Sequence, residues 1–280
     1  MAQPRTNAGR LRQTFTERYG AWALVAGASE GLGAAYARAL AARGMNLVLA
    51  ARRRALLDEL AEDLHGTFGV QVHCCDGDLA SLSFLETLQS ACSGLDVGLV
   101  VYNATYAPVG EFASAAIEDL MRVVDVNVRA PMALLRAFLP PMMARGRGAV
   151  LLMTSLAGNQ GAPRIAAYAA SKAFARVLAE SLWRELQNRG IDVVACCAGA
   201  VRTPGYAMTA GKDAPGILDP DQVVEQALRA LGRGPLVIPG FVNRAASVFM
   251  TRLLPRRAAI AIMAGSTSGL APAKEAKTES

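Results

Sequence analysis

Histidine, cysteine and aromatic residues are scarce in this chain of 280 residues, and each scarcity removes a class of function. The two histidines, His65 and His73, and the five cysteines show no CxxC pair and no zinc-ligating spacing, so no metal is expected. Cys74, Cys75, Cys92, Cys196 and Cys197 are odd in number, which fits a reducing compartment and a cytoplasmic location. Aromatics make up only 6% of the residues, and the arginines behind the net charge of +6 are scattered. The basic stripe with stacking residues that a nucleic-acid partner requires is therefore missing. No apolar run reaches the ~18 residues that span a bilayer. The opening MAQPRTNAGR lacks the apolar stretch of a secretory signal.

What is present is apolar: 52% of the residues are hydrophobic and 19% charged, enough to bury one large core. Short aliphatic runs (AWALVAG, NLVLAA, VQVHCCD, DVGLVVYNA) alternate with Ala- and Leu-rich helical segments. A long helical region follows from about Ile117 to Ala144, with Pro131 and Pro140-Pro141 expected to break or bend it. GAVLLMTS, the helix AYAASKAFARVLAESLWRELQNRG, IDVVACCAG and a short PLVIPG edge complete the series. The pattern predicts an α/β fold, a doubly wound parallel sheet of about seven strands with helices on both faces, binding its ligand beyond the carboxyl ends of the strands. Residues 1–17 read as an N-terminal extension, 18–240 as the cofactor-binding catalytic domain and 241–280 as an amphipathic segment ending in a disordered tail.

AGASEGLG follows the first strand and opens a helix, placing Gly27, Ser29, Glu30, Gly31, Leu32 and Gly33 in the turn. Glycines there let backbone N–H groups approach a pyrophosphate at a helix N-terminus. The second strand ends without the acid that would bond the ribose hydroxyl of NAD, and Arg52, Arg53 and Arg54 follow. An arginine there suits the 2′-phosphate of NADP(H), so the expected cofactor is NADP(H), with Arg52 the main contact, Arg53 a second and Arg54 facing water.

YAASK puts Tyr168 and Lys172 four residues apart, on one helix face. A phenol titrates near 10, and a neighbouring ammonium would lower that value, making Tyr168 a serviceable acid/base. Ser155 ends the preceding strand and Asn127 lies earlier, in VVDVNV.

The GxxxGxG spacing, YNAT, YAASK and CCAGAVRTP together resemble the short-chain dehydrogenase/reductase family, in particular bacterial hydroxysteroid dehydrogenases and long-chain ketoacyl reductases. The resemblance covers about residues 18 to 205 and implies a Rossmann-type fold. It implies a catalytic tetrad of Asn127, Ser155, Tyr168 and Lys172. Lys172 would also bond the nicotinamide ribose, Ser155 would hold the substrate oxygen, and Asn127 would bend its helix and fix a water leading to Lys172. It implies cofactor contacts at Asp78, Leu79, Asn103, Ala104, Gly199, Val201 and Thr203. Ala26, Tyr102, Thr105 and Ala198 depart from the family motifs.

Residues 205–219 read as a lid, with Tyr206, Met208, Ile217 and Leu218 an apolar cover; Gln160 and Arg164 fall near the mouth. Ser155, Gln160, Tyr206 and Met208 are the substrate candidates. In the C-terminal segment Ala245, Val248, Phe249 and Leu253 share a helical face, able to cover a lipophilic pocket, pack on a subunit or lie on a membrane. Docking on its own domain is the plainest of the three, and Pro255 would divide the helix. The leading expectation is an NADP(H)-dependent reductase or dehydrogenase of a lipophilic ketone or alcohol (steroid, fatty-acyl or polyketide-like). The resemblance adds a homodimer or homotetramer formed through the Tyr168 helix and the long helix before Ser155. A catalytically silent NADP(H)-sensing protein and a membrane-surface protein are the alternatives.

Overall fold

Trp22–Ala26 and Val97–Tyr102 are buried at every position, as strands covered on both faces must be. They are β1 and β4, the middle of a sheet seen in a computed structural model that describes residues 13–209 and 213–271. After α1 (Phe15–Tyr19) and β1, the chain forms α2 (Gly31–Ala41), β2 (Asn46–Ala51), α3 (Arg54–Phe68), β3 (Val72–Asp76), α4 (Leu82–Ala91) and β4. Then come α5 (Ile117–Val124), α6 (Ala130–Arg145), β5 (Gly148–Ser155), α7 (Ala166–Leu186) and β6 (Ile191–Ala198). The last elements are α8 (Pro204–Thr209), α9 (Pro220–Ala230), β7 (Leu236–Val237), α10 (Phe241–Val248) and α11 (Arg256–Ser268).

Among the described residues the strands make one parallel sheet of seven in the order β3-β2-β1-β4-β5-β6-β7, with two hydrophobic cores, one on each face. Strand order reverses between β1 and β4, so the loops leaving their carboxyl ends diverge and open a crevice. The doubly wound sheet expected from the alternation is the one observed. Residues 1–12 of the expected extension, 210–212 of the lid and 272–280 of the tail lie outside the described residues.

The long helical region is interrupted elsewhere than its prolines. Between α5 and α6 lies a π-helical turn, Asp125–Arg129, in which the N–H of Ala130 reaches back five residues to the carbonyl of Asp125. Pro131 sits in the first turn of α6 rather than breaking it, and α6 runs through Pro140 and Pro141 to Arg145. Those two prolines are exposed, so the carbonyls they leave without donors can be served by water.

Candidate active site

The glycine turn is a packing requirement first. Gly27 has φ +83°, and a Cβ there would fall 2.6 Å from the amide nitrogen of Ala104; at Gly33 it would fall 1.9 Å from the carbonyl oxygen of Gly27. Loop and helix therefore close up only with hydrogen at these positions. The side chain of Asn103 donates to the Gly27 carbonyl at 2.9 Å, and the Asn103 and Ala104 amides both donate to Ala26, tying the loop after β4 to the loop after β1. No side chain caps the N-terminus of α2, whose first amides face the crevice with the favourable end of the helix dipole.

A cleft of about 300 Å³ opens above this turn. It is lined by Gly27, Ser29, Glu30, Gly31, Leu32, Arg52, Arg53, Asp78, Leu79, Asn103, Ala104 and Thr203, twelve of the residues singled out from sequence. Tyr106 and Arg122 also line it and were not anticipated; Tyr106 follows YNAT directly, and Arg122 carries no motif.

The lining arginines differ in charge state of their surroundings. Arg53 pairs with Glu30 at 2.9 Å and donates to Ser29 at 3.1 Å. Arg122 pairs with Asp78 at 2.7 Å. Burial works against ionising Asp78, but the Ala80 amide, that guanidinium and the more distant charge of Arg52 outweigh it and lower its pKa. Arg52 alone of the three has no ion pair or hydrogen bond among the described residues. Arg54 corrects the expectation that it faces water only: it pairs with Asp58 at 2.8 Å, one helical turn on, and with Asp76 at 3.1 Å, at the end of neighbouring β3.

The second group of residues converges at the carboxyl end of β5. The Ser155 hydroxyl accepts from the Ala157 amide at 3.2 Å and caps the 3₁₀ turn Leu156–Asn159. Lys172 is buried, donates to the Met153 carbonyl at 3.0 Å, and holds its Nζ 5.5 Å from the centre of the Tyr168 ring. Desolvation lowers the Lys172 pKa to about 8. Burial pushes the Tyr168 phenol above its ordinary value, with the Ser155 side chain acting in the opposite direction. The lowering of Tyr168 expected from its neighbour is thus not seen: the ammonium is itself desolvated and spends a hydrogen bond on Met153.

Asn127 lies within the π turn, with its amide engaged at both ends. It accepts from the Tyr106 amide at 2.8 Å and donates to the Tyr106 carbonyl and to Ser171 Oγ, both at 2.9 Å. Its side chain thus fastens the loop after β4 to α7. Pro131 stands four residues on and has no N–H to offer the Asn127 carbonyl, the usual acceptor of that turn.

Beyond β6, a Cβ on Gly199 would fall 2.7 Å from the Asn243 side chain. Asn243, buried on α10, donates to Gly216 and Pro239, both at 3.0 Å, and so ties the stretch around Gly216 to the C-terminal segment. No motif pointed to it, since it falls outside the stretch covered by the resemblance. Val201 bridges to Leu218, and Arg202 pairs with Asp213 and Asp219, each at 3.0 Å, so the stretch that leaves at Val201 returns beside it at Leu218. The Thr203 hydroxyl accepts from the Tyr206 amide at 3.2 Å, capping α8 while its methyl packs toward Gly31.

The substrate candidates divide. Tyr206 is half-buried with its hydroxyl accepting from Ala214 at 3.1 Å, and Met208 is exposed on α8. Gln160 is buried and turned back to the Leu156 carbonyl, so it does not open on the mouth. Leu218 packs into the main core rather than forming a cover. Arg164, at φ +66°, donates to the Ser268 carbonyl and holds the end of α11. The apolar wall next to Tyr168 comes from Val109, Ala157, Ala162, Ile165 and Ala169, with Met263 and Leu270 from the C-terminal segment. The C-terminal segment packs on the rest of the chain through Asn243, Met263 and Leu270, whereas Ala245, Val248, Phe249 and Leu253, the face singled out from sequence, are exposed.

The short chain dehydrogenase family profile matches residues 21–213. The chain belongs to that family. This short-chain dehydrogenase is 32% identical to a 7beta-hydroxysteroid dehydrogenase of Clostridium sardiniense over 82% of its own length and 89% of that protein. It is 32% identical to an inactive hydroxysteroid dehydrogenase-like protein 1 of Homo sapiens over 65% of its length and 56% of that protein. A solved 7beta-hydroxysteroid dehydrogenase superposes with a TM-score of 0.85 at 29% identity, covering 90% of this chain and 99% of that one. A short-chain dehydrogenase from Sphingobium yanoikuyae in complex with NADPH superposes with a TM-score of 0.74 at 30% identity, covering 91% and 98%. By family the protein is an oxidoreductase acting on small molecules.

Proposed function

We propose that this short-chain dehydrogenase is NADP(H)-dependent and interconverts a lipophilic ketone and its secondary alcohol, a steroid in the first place. The observation that carries the reading is the meeting of Ser155, Tyr168 and Lys172 at the end of β5, beside an apolar wall. A nicotinamide dinucleotide fits the residues present: Gly33 leaves no room for a Cβ, the α2 amides are uncapped, and Arg52 makes no ion pair or hydrogen bond among the described residues. The glycine loop would hold the pyrophosphate, Arg52 the 2′-phosphate with Arg53 beside it, and Lys172 the nicotinamide ribose. Asp78, Leu79, Asn103, Ala104, Gly199, Val201 and Thr203 complete the cofactor residues of the proposal. When bound, the cofactor supplies the hydride donor or acceptor that side chains lack.

In reduction, Tyr168 gives its phenolic proton to the carbonyl oxygen and recovers it in oxidation, while Ser155 donates a hydrogen bond to the same oxygen as charge develops on it. The Lys172 ammonium stabilises the phenolate, and Asn127 holds α7 and the loop after β4 in register. Because Lys172 keeps its charge only below about pH 8, kcat/KM for reduction is expected to fall as pH rises through that value; a pH–rate profile checks this. A profile flat to pH 10 would remove Lys172 from the mechanism.

The hydroxysteroid dehydrogenases among its relatives, and the Met263 and Leu270 wall, favour a bulky apolar substrate. For the oligomer, α6 and α7 offer exposed Met132 and Val177. The test is a panel of steroid ketones, 3-oxoacyl thioesters and small aldehydes, with nicotinamide absorbance followed for NADPH and NADH. Turnover of a bulky ketone with NADPH is expected. Tight NADPH binding without turnover across the panel would replace this reading with nucleotide sensing.

A further inference from the structure

The run from Phe241 to Leu253, α10 continued by a π-helical turn over Phe249–Leu253, is amphipathic the wrong way round. Its buried side is polar. Asn243 bonds Gly216 and Pro239, and Ser247 accepts from Asn159 at 3.1 Å. Its outer side is apolar, with Phe241 76%, Leu253 68%, Val242 53%, Val248 50% and Phe249 49% exposed. At 100° per residue these five fall on one side of the helix, opposite Asn243 and Ser247. A face that needed only water would carry the polar residues outward, and large contiguous apolar patches on a soluble surface mark an interaction site.

Charge decides the partner. From Phe241 to Ala271 there are four arginines, Arg244, Arg252, Arg256 and Arg257, and neither Asp nor Glu. Arg256 donates to the Asn159 carbonyl at 2.6 Å, whereas the side chains of Arg244, Arg252 and Arg257 have no ion pair or hydrogen bond among the described residues. If two copies met through this face, each arginine would approach the copy's arginines with no acid to offset them. An anionic bilayer supplies both an apolar interior for Phe241, Phe249 and Leu253 and phosphates for the arginines. Among the described residues no helix is long and apolar enough to cross a membrane, so the contact is peripheral.

We infer that the outer face of residues 241–253, with Arg257 beside it, docks the protein on anionic lipid surfaces. The inference is independent of the chemistry assigned to Tyr168. In the helix that follows, Met263, and beyond it Leu270, pack on the same apolar cluster as Tyr168.

The test is cosedimentation of the full chain with vesicles of phosphatidylcholine alone or mixed with phosphatidylglycerol, at low and high salt. Binding to the anionic vesicles that weakens with salt is expected. Phe249→Glu with Leu253→Glu should lower the bound fraction by about 10-fold or more, and Arg252→Glu with Arg257→Glu should abolish the preference for phosphatidylglycerol. All four positions are exposed, so thermal unfolding and solution mass should match the parent. No association with anionic vesicles at low salt would overturn the inference. So would a fall in oligomer mass for Phe249→Glu with Leu253→Glu, which would assign the face to a second copy. Carbonyl reduction in solution, measured on the same samples, reports separately on the catalytic reading.

Discussion

Tyr168→Phe is expected to lower kcat for carbonyl reduction by about 10²- to 10⁴-fold, the range a positioned acid/base supplies, with NADPH affinity held within a few-fold. The substitution removes one oxygen and leaves the ring, which packs against the cluster of Ala157, Ala162, Ile165 and Ala169. Folding should therefore survive it, and a thermal melt close to the parent's would show that the loss is chemical. The phenol suits reduction better than oxidation in the cofactor-free protein, because burial raises its pKa and keeps the proton on it. Oxidation needs the phenolate, and a cation is the means to obtain it. With Lys172 at about 8, that cation is present through neutrality but not far above it. The oxidative direction thus depends on two opposing titrations and the reductive direction on one. Turnover by Tyr168→Phe within a few-fold of the parent would move the proton donor to Ser155 or to water and end the proposal for Tyr168.

The fold and much of the site were legible because they rest on local rules. Strands buried on both faces read as aliphatic runs, and a chain that alternates them with helices has few topologies open to it. The glycine spacing was readable because a Cβ is excluded at Gly27 by the loop after β4 and at Gly33 by the turn itself, while Gly31 holds a positive φ. Tyr168 and Lys172 declare their common face by a separation of four. What stayed hidden depends on partners remote in sequence. Arg53 and Arg54 look alike in the string, yet one meets Glu30 across the glycine loop and the other Asp76 on the next strand. Asn243 matters because three segments meet at its amide. For Ala245, Val248, Phe249 and Leu253 the string left a pocket cover, a subunit contact and a membrane surface open, with docking on its own domain the plainest because burial is the usual fate of such a stripe. These residues face outward because the inward positions are held by hydrogen bonds of Asn243 and Ser247. The break in the long helix moved from Pro140 and Pro141 to a π turn just ahead of Pro131, whose missing N–H leaves the Asn127 carbonyl without its usual donor.

Arg52→Ala is expected to weaken NADPH binding by about 10- to 150-fold, the equivalent of the ~1.5–3 kcal/mol of a charge-assisted hydrogen bond, and to leave NADH binding nearly unchanged. The asymmetry follows from the surroundings of the three consecutive arginines. Arg54 is occupied by Asp58 and Asp76, and Arg53 is paired with Glu30, so of the three only Arg52 brings to the cleft a guanidinium with no ion pair or hydrogen bond, its charge acting at longer range on Asp78. Arg53→Ala should accordingly cost less, and should do so for both cofactors, because it frees Glu30 and Ser29 in the pyrophosphate turn. Arg52→Asp reverses the local charge: it should repel the 2′-phosphate and accept a hydrogen bond from the 2′-hydroxyl, carrying preference toward NADH beyond what Arg52→Ala achieves. Titrating both cofactors into the three variants at two salt concentrations distinguishes these cases, since an ion pair at an exposed arginine weakens with salt. Equal losses of NADPH and NADH in Arg52→Ala would mean that the residue supports the loop rather than reading the phosphate. The cofactor assignment would then have no cation left to rest on, Arg122 being held by Asp78.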